Sequence, residues 1–276
     1  MVPAPRSGHR RAVYRCAELS SLRGLKNRIY DWRAVVDCRS SVEALRRLEY
    51  RLPDPVTRFA VPWTFVGKGH CKHLTAYQHP GEIFRLYVRV IELAPRNLVE
   101  IGTARGGTLY LWTQASADDA MIVSIDLPDG PFGGGYRACR EPFYHAFARA
   151  GQHLVLIRDD AGKLAVRDRA AANGAVDFLF IDADHSLSGI RRNVSLYGPL
   201  VKPGGLIALH DILPNPRWPE IEIWRLWQHL RELGNAEEIV DSRDGDRPLG
   251  IGLITVGPEG FGPVQDIVES WPDSRD

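Results

Sequence analysis

One stretch constrains the fold more than any other: Asn97–Thr108, which reads Asn-Leu-Val-Glu-Ile-Gly-Thr-Ala-Arg-Gly-Gly-Thr. Leu98, Val99 and Ile101 form a short apolar run, which reads as a buried strand interrupted by Glu100. Gly102, Gly106 and Gly107 follow, and an apolar helical pattern begins at Thr108. A strand that breaks into a glycine loop and then a helix directs backbone N–H groups and the helix N-terminus toward a ligand.

Such a unit needs further strands beside it. Met121–Asp126, His153–Asp160, Val176–Asp182 and Leu206–Asp211 read as strands, and each ends in an acid. Helical patterns run through Glu141–Ala150, 162–173, His185–Leu200 and Arg217–Leu233. Pro203-Gly204-Gly205 reads as a turn, and Glu237–Val240 and Leu249–Val256 read as the last strands. Upstream, Ile83, Leu86, Tyr87, Val90 and Ile91 stripe a helix over Glu82–Leu93 that Pro95 ends. Regular alternation predicts an α/β fold, with a mostly parallel sheet covered by helices on both faces. Ligands of such sheets bind beyond the carboxyl ends of the strands, where Asp126, Asp160, Asp182 and Asp211 all fall.

With 276 residues, 44% of them hydrophobic, the chain can bury one large core with an appended segment. The boundary is expected near residue 70: a basic, partly helical extension over 1–70 and the main domain over 71–276. Residues 1–60 hold 13 Lys/Arg against 6 Asp/Glu, although the net charge is only +1. Residues 1–20 read as poorly ordered. Val35, Val36, Val42, Leu45 and Leu48 suggest one face of a helical hairpin within Leu22–Tyr50. Pro53, Pro55, Pro62, Gly67 and Gly69 predict irregular chain over 52–70, with Trp63 and Phe65 packing it onto the body. A basic arm suits an acidic partner, but no aromatic-basic interleaving marks a nucleic-acid surface.

No apolar run reaches the roughly 18–20 residues that span a membrane, and the N-terminus has no apolar signal region. Its Arg-rich, acid-poor start leaves a transit peptide open. The four cysteines, Cys16, Cys38, Cys71 and Cys139, form no C-x-x-C pair. That spacing argues against a zinc ribbon or a disulfide framework, and fits a cytoplasmic location.

The glycine spacing is neither G-x-G-x-x-G nor a Walker loop, so a phosphate ligand is disfavoured. Glu100 places an acid where a cationic amine could be received. Asp126, 24 residues past Gly102, ends the next strand and can accept two ribose hydroxyls, or it can simply cap the strand end. Pro131-Phe-Gly-Gly-Gly-Tyr136 is either a lid or a connector. Asp160 is assigned near a nucleobase, the alternative being that Asp159 and Asp160 cap the following helix.

A second constellation is Asp182-Ala183-Asp184-His185 with His210-Asp211 on the next strand end. Asp182 and Asp211 side by side repel unless protonated or bridged by a cation. Oxygen ligands favour Mg²⁺, Ca²⁺ or Mn²⁺, and an added imidazole shifts the choice toward Mn²⁺, Fe²⁺ or Zn²⁺. His185 has a pKa suited to taking a proton from a hydroxyl. The plainer alternative has Asp184 or Ser186 capping a helix and His185 on its surface.

These motifs together resemble class I S-adenosylmethionine-dependent methyltransferases. The branch they resemble is that of cephalosporin hydroxylase and the macrolide sugar O-methyltransferases. The matching text is His79-Pro-Gly-Glu-Ile, Leu98-Val-Glu-Ile-Gly-Thr-Ala-Arg-Gly-Gly-Thr, Ser124-Ile-Asp-Leu-Pro, Phe178-Leu-Phe-Ile-Asp-Ala-Asp-His-Ser, Tyr197-Gly-Pro-Leu-Val-Lys-Pro-Gly-Gly and His210-Asp211. The resemblance implies a Rossmann-like seven-stranded sheet with an antiparallel last strand. It implies S-adenosylmethionine bound by Glu100, Gly102, Thr103, Gly106, Gly107, Thr108, Asp126, Asp160 and Asp182, with its amine near Glu100. It also implies a divalent cation (Mg²⁺ or Mn²⁺) on Asp182, His210 and Asp211, with His185 as the base. His210 departs from the pattern, since those enzymes carry a Glu there.

The expected activity is methyl transfer to a hydroxyl of a small molecule, a natural-product sugar or related polyol, by a homo-oligomer. A metal-independent or catechol/phenol O-methyltransferase of the same fold is the first alternative. A non-catalytic nucleoside-binding module, or a nucleic-acid methyltransferase using the basic arm, is the second.

Overall fold

The computed structural model describes residues 32–130, 135–241 and 249–270. The expectations for residues 1–31, and for most of the Pro131–Tyr136 loop, lie outside these. The described residues open with helix α1 (32–50), followed by α2 (Pro55–Arg58), α3 (Val61–Thr64) and α4 (Pro80–Leu93). Then come β1 (Asn97–Ile101), α5 (Gly107–Ala115), β2 (Met121–Asp126), α6 (Glu141–His145), β3 (His153–Arg158), α7 (Leu164–Ala171), β4 (Val176–Ile181) and α8 (Leu187–Tyr197). The last elements are β5 (Val201–His210), α9 (Ile223–Leu230), β6 (Ala236–Ile239), β7 (Ile251–Thr255) and α10 (Gly262–Ser270).

The seven strands lie in the order β3-β2-β1-β4-β5-β7-β6. All neighbours are parallel except β7, which runs antiparallel to both β5 and β6. The order reverses between β1 and β4, and a crevice at the carboxyl ends opens at that reversal. Among the described residues no helix is long and apolar enough to cross a membrane.

Both sheet faces are buried, so the central strands are apolar at successive positions rather than alternating. Leu98, Ile122, Phe178, Phe180 and Leu206 face α4 and α5. Trp112 of α5 sets its ring edge-on to Phe178 and Phe180, at 5.1 and 5.2 Å. Val99, Ile101, Val123, Leu179 and Ile181 face the opposite way, onto Val166, Ile190, Val194, Leu226 and Val264. Asp177 fastens the amino ends of the strands: its carboxylate accepts the Arg96 and Asn97 N–H groups (2.7 and 2.8 Å) and pairs with Lys202 at 2.5 Å.

Several elements differ from the sequence reading. Residues 32–50 form one helix, the earlier part of the expected Leu22–Tyr50 hairpin lying outside the described residues, and Cys38 and Leu45 enter the same core as Leu86 and Trp112. The core therefore continues across the boundary drawn at residue 70. The 52–70 segment contains α2 and α3 because Pro55 and Pro62 sit in their first turns, where a missing N–H costs nothing. Phe65 is buried and stacks on Phe143 at 5.2 Å, while Trp63 stays 39% exposed. The Pro203–Gly205 turn is absorbed into β5 as an irregularity in its register against β4. Helix α9 begins at Ile223, not Arg217, and α10 was not foreseen. Cys38, Cys71 and Cys139 are unpaired.

Candidate functional site

The glycine loop sits at the β1–β4 reversal. The Asp182 N–H donates to the Ile101 carbonyl at 2.8 Å, and the Gly102 N–H donates to the Ile125 carbonyl at 2.8 Å. A Cβ on Gly102 would meet the Asp182 carbonyl oxygen at 1.8 Å, and its φ of +107° is one that L side chains rarely adopt. Glycine there lets the two strand ends close on each other. Gly107 answers a second close approach: its N–H donates to the Thr75 carbonyl at 3.2 Å, and a Cβ would lie 2.1 Å from the Ala76 nitrogen. Gly106 lies under the ring of Tyr144. The glycines thus let protein segments pack against the loop, and the Gly107 N–H is already taken by Thr75 and not directed at a ligand.

Behind the loop, Thr103, Ser124 and Glu100 form a buried chain. The Thr103 and Ser124 hydroxyls lie 2.5 Å apart, and Ser124 donates to Glu100 Oε2 at 2.6 Å. Glu100 is fully buried, and its Oε1 has no partner. Burial pushes its pKa up to about 8, with Ser124 and Thr108 opposing the rise and Asp126 and Asp182 adding to it. Glu100 is therefore a neutral acid near pH 7 until a cation arrives. Thr103 and Thr108 are buried as well, at 1% and 5% exposure.

Asp126 ends β2 as the sequence predicts, and it accepts the Ala104 N–H at 2.7 Å. Tyr144 donates its hydroxyl to the Ala104 carbonyl at 2.8 Å. Ala104 is held at both ends in a left-handed conformation, φ +43°. Burial raises the Asp126 pKa to about 6, against backbone N–H donors that lower it. Asp160 is only partly buried and accepts the Gly162 N–H at 2.7 Å, while Asp159 pairs with Lys163 at 2.6 Å. Neither carboxylate caps α7, whose N-cap residue is Lys163 without a side-chain cap hydrogen bond.

The second constellation does assemble. Asp182 follows β4, Asp211 follows β5, and two imidazoles lie between them. His185 Nε2 is 3.3 Å from Asp182 Oδ1, and its Nδ1 is 3.2 Å from Asp211 Oδ2. His210 Nδ1 is 3.1 Å from Asp182 Oδ1 and 3.5 Å from Asp211 Oδ1. Burial alone would lower the His210 pKa, but Asp182 and Asp211 outweigh it and raise it to about 9. The same carboxylates raise that of His185. Asp182 stays ionised because both imidazoles offset its desolvation, whereas burial raises Asp211. Asp211 carries backbone strain, with φ +61°.

Ser186 does cap α8 through the Gly189 N–H, and Asp184 accepts from Ser186, yet His185 still turns inward. Glu222 holds it there: its N–H donates to the His185 carbonyl at 2.8 Å, and its carboxylate accepts the Leu187 N–H.

Asp182, His185 and Asp211 each offer one ligand atom, all within 4.8 Å of one another. This group shares both carboxylates with the expected set of Asp182, His210 and Asp211, and His210 Nδ1 also lies within hydrogen-bond reach of both. His185, three residues past Asp182, swings over both carboxylates, while His210 ends β5 and is packed inside with its Nε2 unpartnered. A mixed oxygen–imidazole set fits a divalent transition ion or Mn²⁺ better than Mg²⁺. The unpartnered Oε1 of Glu100 likewise fits an amine-bearing nucleoside at the loop. Sequence reasoning missed Gln78, whose amide donates to Asp182 Oδ2 at 2.5 Å. Nothing in its local pattern marked it.

Residues 99–212 match the family model described as "Methyltransferase domain". No curated protein matches the chain in sequence. Among solved structures, the O-methyltransferase TomG from Streptomyces achromogenes, involved in tomaymycin synthesis and bound to S-adenosylmethionine, is 16% identical. The match covers 80% of this chain and 98% of that one, with a TM-score of 0.50. An O-methyltransferase from Bacillus cereus in complex with S-adenosylhomocysteine is 18% identical over 63% of this chain and 80% of that one, with a TM-score of 0.45. MycE from the mycinamycin biosynthetic pathway, with Mg, S-adenosylhomocysteine and mycinamycin VI, is 16% identical. There the match covers 75% of this chain and 55% of that one, with a TM-score of 0.46.

Proposed function

We propose that this chain, an S-adenosylmethionine-dependent methyltransferase by its domain and its fold, methylates a hydroxyl of a small molecule with the help of a divalent cation. The observation that carries this reading is the meeting of Asp182, His185 and Asp211 beside a glycine loop that packs directly on Asp182. S-adenosylmethionine supplies a methyl group on a sulfonium, a good leaving group. A cation on Asp182 and Asp211 supplies charge that lowers the pKa of an acceptor hydroxyl.

The chain's own residues do the rest. Asp126 and the loop it braces hold the ribose end. Glu100, whose Oε1 lacks a donor, ionises to meet the ammonium. His185, 19% exposed and thus the open edge of the cluster, takes the acceptor's proton. Holding donor and acceptor in contact provides most of the acceleration. A sugar hydroxyl or related polyol is the proposed acceptor.

His185 also stands at ligand distance, which favours a second reading in which it binds the ion. His185→Ala separates the two. A base loses turnover by about 10²–10⁴-fold with Mn²⁺ affinity intact, whereas a ligand loses the ion. For the function itself, binding of S-adenosylhomocysteine by calorimetry and turnover with and without EDTA are the tests. Absent binding would refute the donor, and turnover indifferent to EDTA would refute the cation.

A further inference from the structure

Residues 75–79 cross between the glycine loop and the carboxylate edge. The Thr75 carbonyl accepts the Gly107 N–H at 3.2 Å. Arg105 of the loop lies over the Tyr77 ring, 6.0 Å from its centroid. Gln78, the next residue, turns inward at 5% exposure, and its Nε2 reaches Asp182 Oδ2 at 2.5 Å. His79 then leads into α4. One short segment thus touches the start of α5 and the carboxylate that follows β4.

The direction of the Gln78 amide follows from its contact with Asp182. The NH₂ group donates to Asp182 Oδ2, so the carbonyl faces away from it. Gln78 Oε1 is consequently buried with no donor. A buried amide oxygen left without a donor is costly. On the other side of Asp182, Oδ1 receives both imidazoles, at 3.1 and 3.3 Å. The two oxygens of Asp182 are therefore divided: Oδ2 is tied to Gln78 and Oδ1 faces the cluster.

We propose that Gln78 is a positioning residue for the candidate cation site, holding Asp182 so that Oδ1 is the oxygen offered to the ion. This inference rests on the divalent-cation reading above. Carboxylate ligands are generally oriented by a hydrogen bond to their second oxygen, and loss of such a partner typically lowers metal affinity about 10–100-fold. Gln78 also joins the cation site to the donor loop through its own chain neighbours.

The test is a MnCl₂ titration followed by electron paramagnetic resonance of free Mn²⁺, on the full chain and on Gln78→Met and Gln78→Asn. Met keeps the volume and removes the donor, and Asn keeps the amide and withdraws it by one methylene. S-adenosylhomocysteine affinity is measured in parallel by calorimetry. Both variants are expected to bind Mn²⁺ about 10–100-fold more weakly, with S-adenosylhomocysteine affinity within about twofold of the unmodified chain. Unmodified Mn²⁺ affinity in both variants would overturn the role of Gln78 and leave the cation reading standing. Equal losses of both ligands would reduce Gln78 to a structural residue and overturn it as well. If the unmodified chain binds S-adenosylhomocysteine but no Mn²⁺, the cation reading fails and Gln78 falls with it.

Discussion

Glu100→Gln is the substitution with the sharpest physical consequence. In the folded chain burial raises the Glu100 pKa from the ordinary 4.5 to about 8. The native state therefore keeps a proton that the unfolded chain gives up. Because the folded pKa is raised, stability is fully present below pH 4.5 and declines as the pH rises toward 8. Each pH unit in that window costs about 1.4 kcal/mol, so the span to pH 7 costs about 3 kcal/mol on the same scale.

A glutamine keeps an acceptor for Ser124 and removes the ionisable proton, but it buries an NH₂ where Oε1 now lacks a partner. Burying that amide costs about 1–2 kcal/mol. The variant should therefore be near neutral at pH 5 and about 1–2 kcal/mol more stable than the unmodified chain at pH 7. Urea unfolding at half-unit steps from pH 5 to 8 measures it, the informative quantity being the difference in slope. Identical pH slopes for the two proteins would show that Glu100 is already ionised in the folded state, and the reasoning would fail.

Other outcomes follow from the same geometry. Binding of S-adenosylmethionine, whose ammonium favours the ionised acid, should release close to one proton at pH 7. Calorimetry in buffers of different ionisation enthalpy reads this, and Glu100→Gln should abolish it. Asp177→Ala removes two backbone hydrogen bonds and the Lys202 pair, so it should destabilise the chain by about 2–4 kcal/mol in urea. Lys202 holds the Asp177 pKa below its ordinary range against the opposing effect of burial. Its contribution is thus present above the unfolded carboxylate value and lost as the pH falls through the folded one. Gly107→Ala drives a methyl into the Thr75–Ala76 backbone and should lower the melting temperature by about 5–10 °C. A melting curve unchanged within 2 °C or so would mean that the segment yields freely.

The order of strands and helices was legible because the central strands are mostly apolar runs, and four of the sequence's strands end in an acid: Asp126, Asp160, Asp182 and Asp211. Val176–Ile181 needs no partner information to read as a buried strand. Asp182, His185, His210 and Asp211 were legible for the same reason: strand ends in a parallel sheet share one edge. Helix α10 was not, because its burial depends on Val264 and Val268 finding a face that other elements create. Nor was the absorption of Pro203–Gly205 into β5, where strand pairing overrides local turn chemistry.

By itself the sequence determined the glycine loop, the α/β alternation and the two carboxylates at adjacent strand ends, since periodicity and residue type are local properties. Only the tertiary structure decided what those groups touch. It gave the Gly107 N–H to Thr75, buried Glu100 as a neutral acid, set both His185 and His210 between the two carboxylates, and brought Gln78 across 104 residues to Asp182. Contact between distant segments, and the desolvation that accompanies it, sets the charge and reach of each side chain, and neither is written in local spacing.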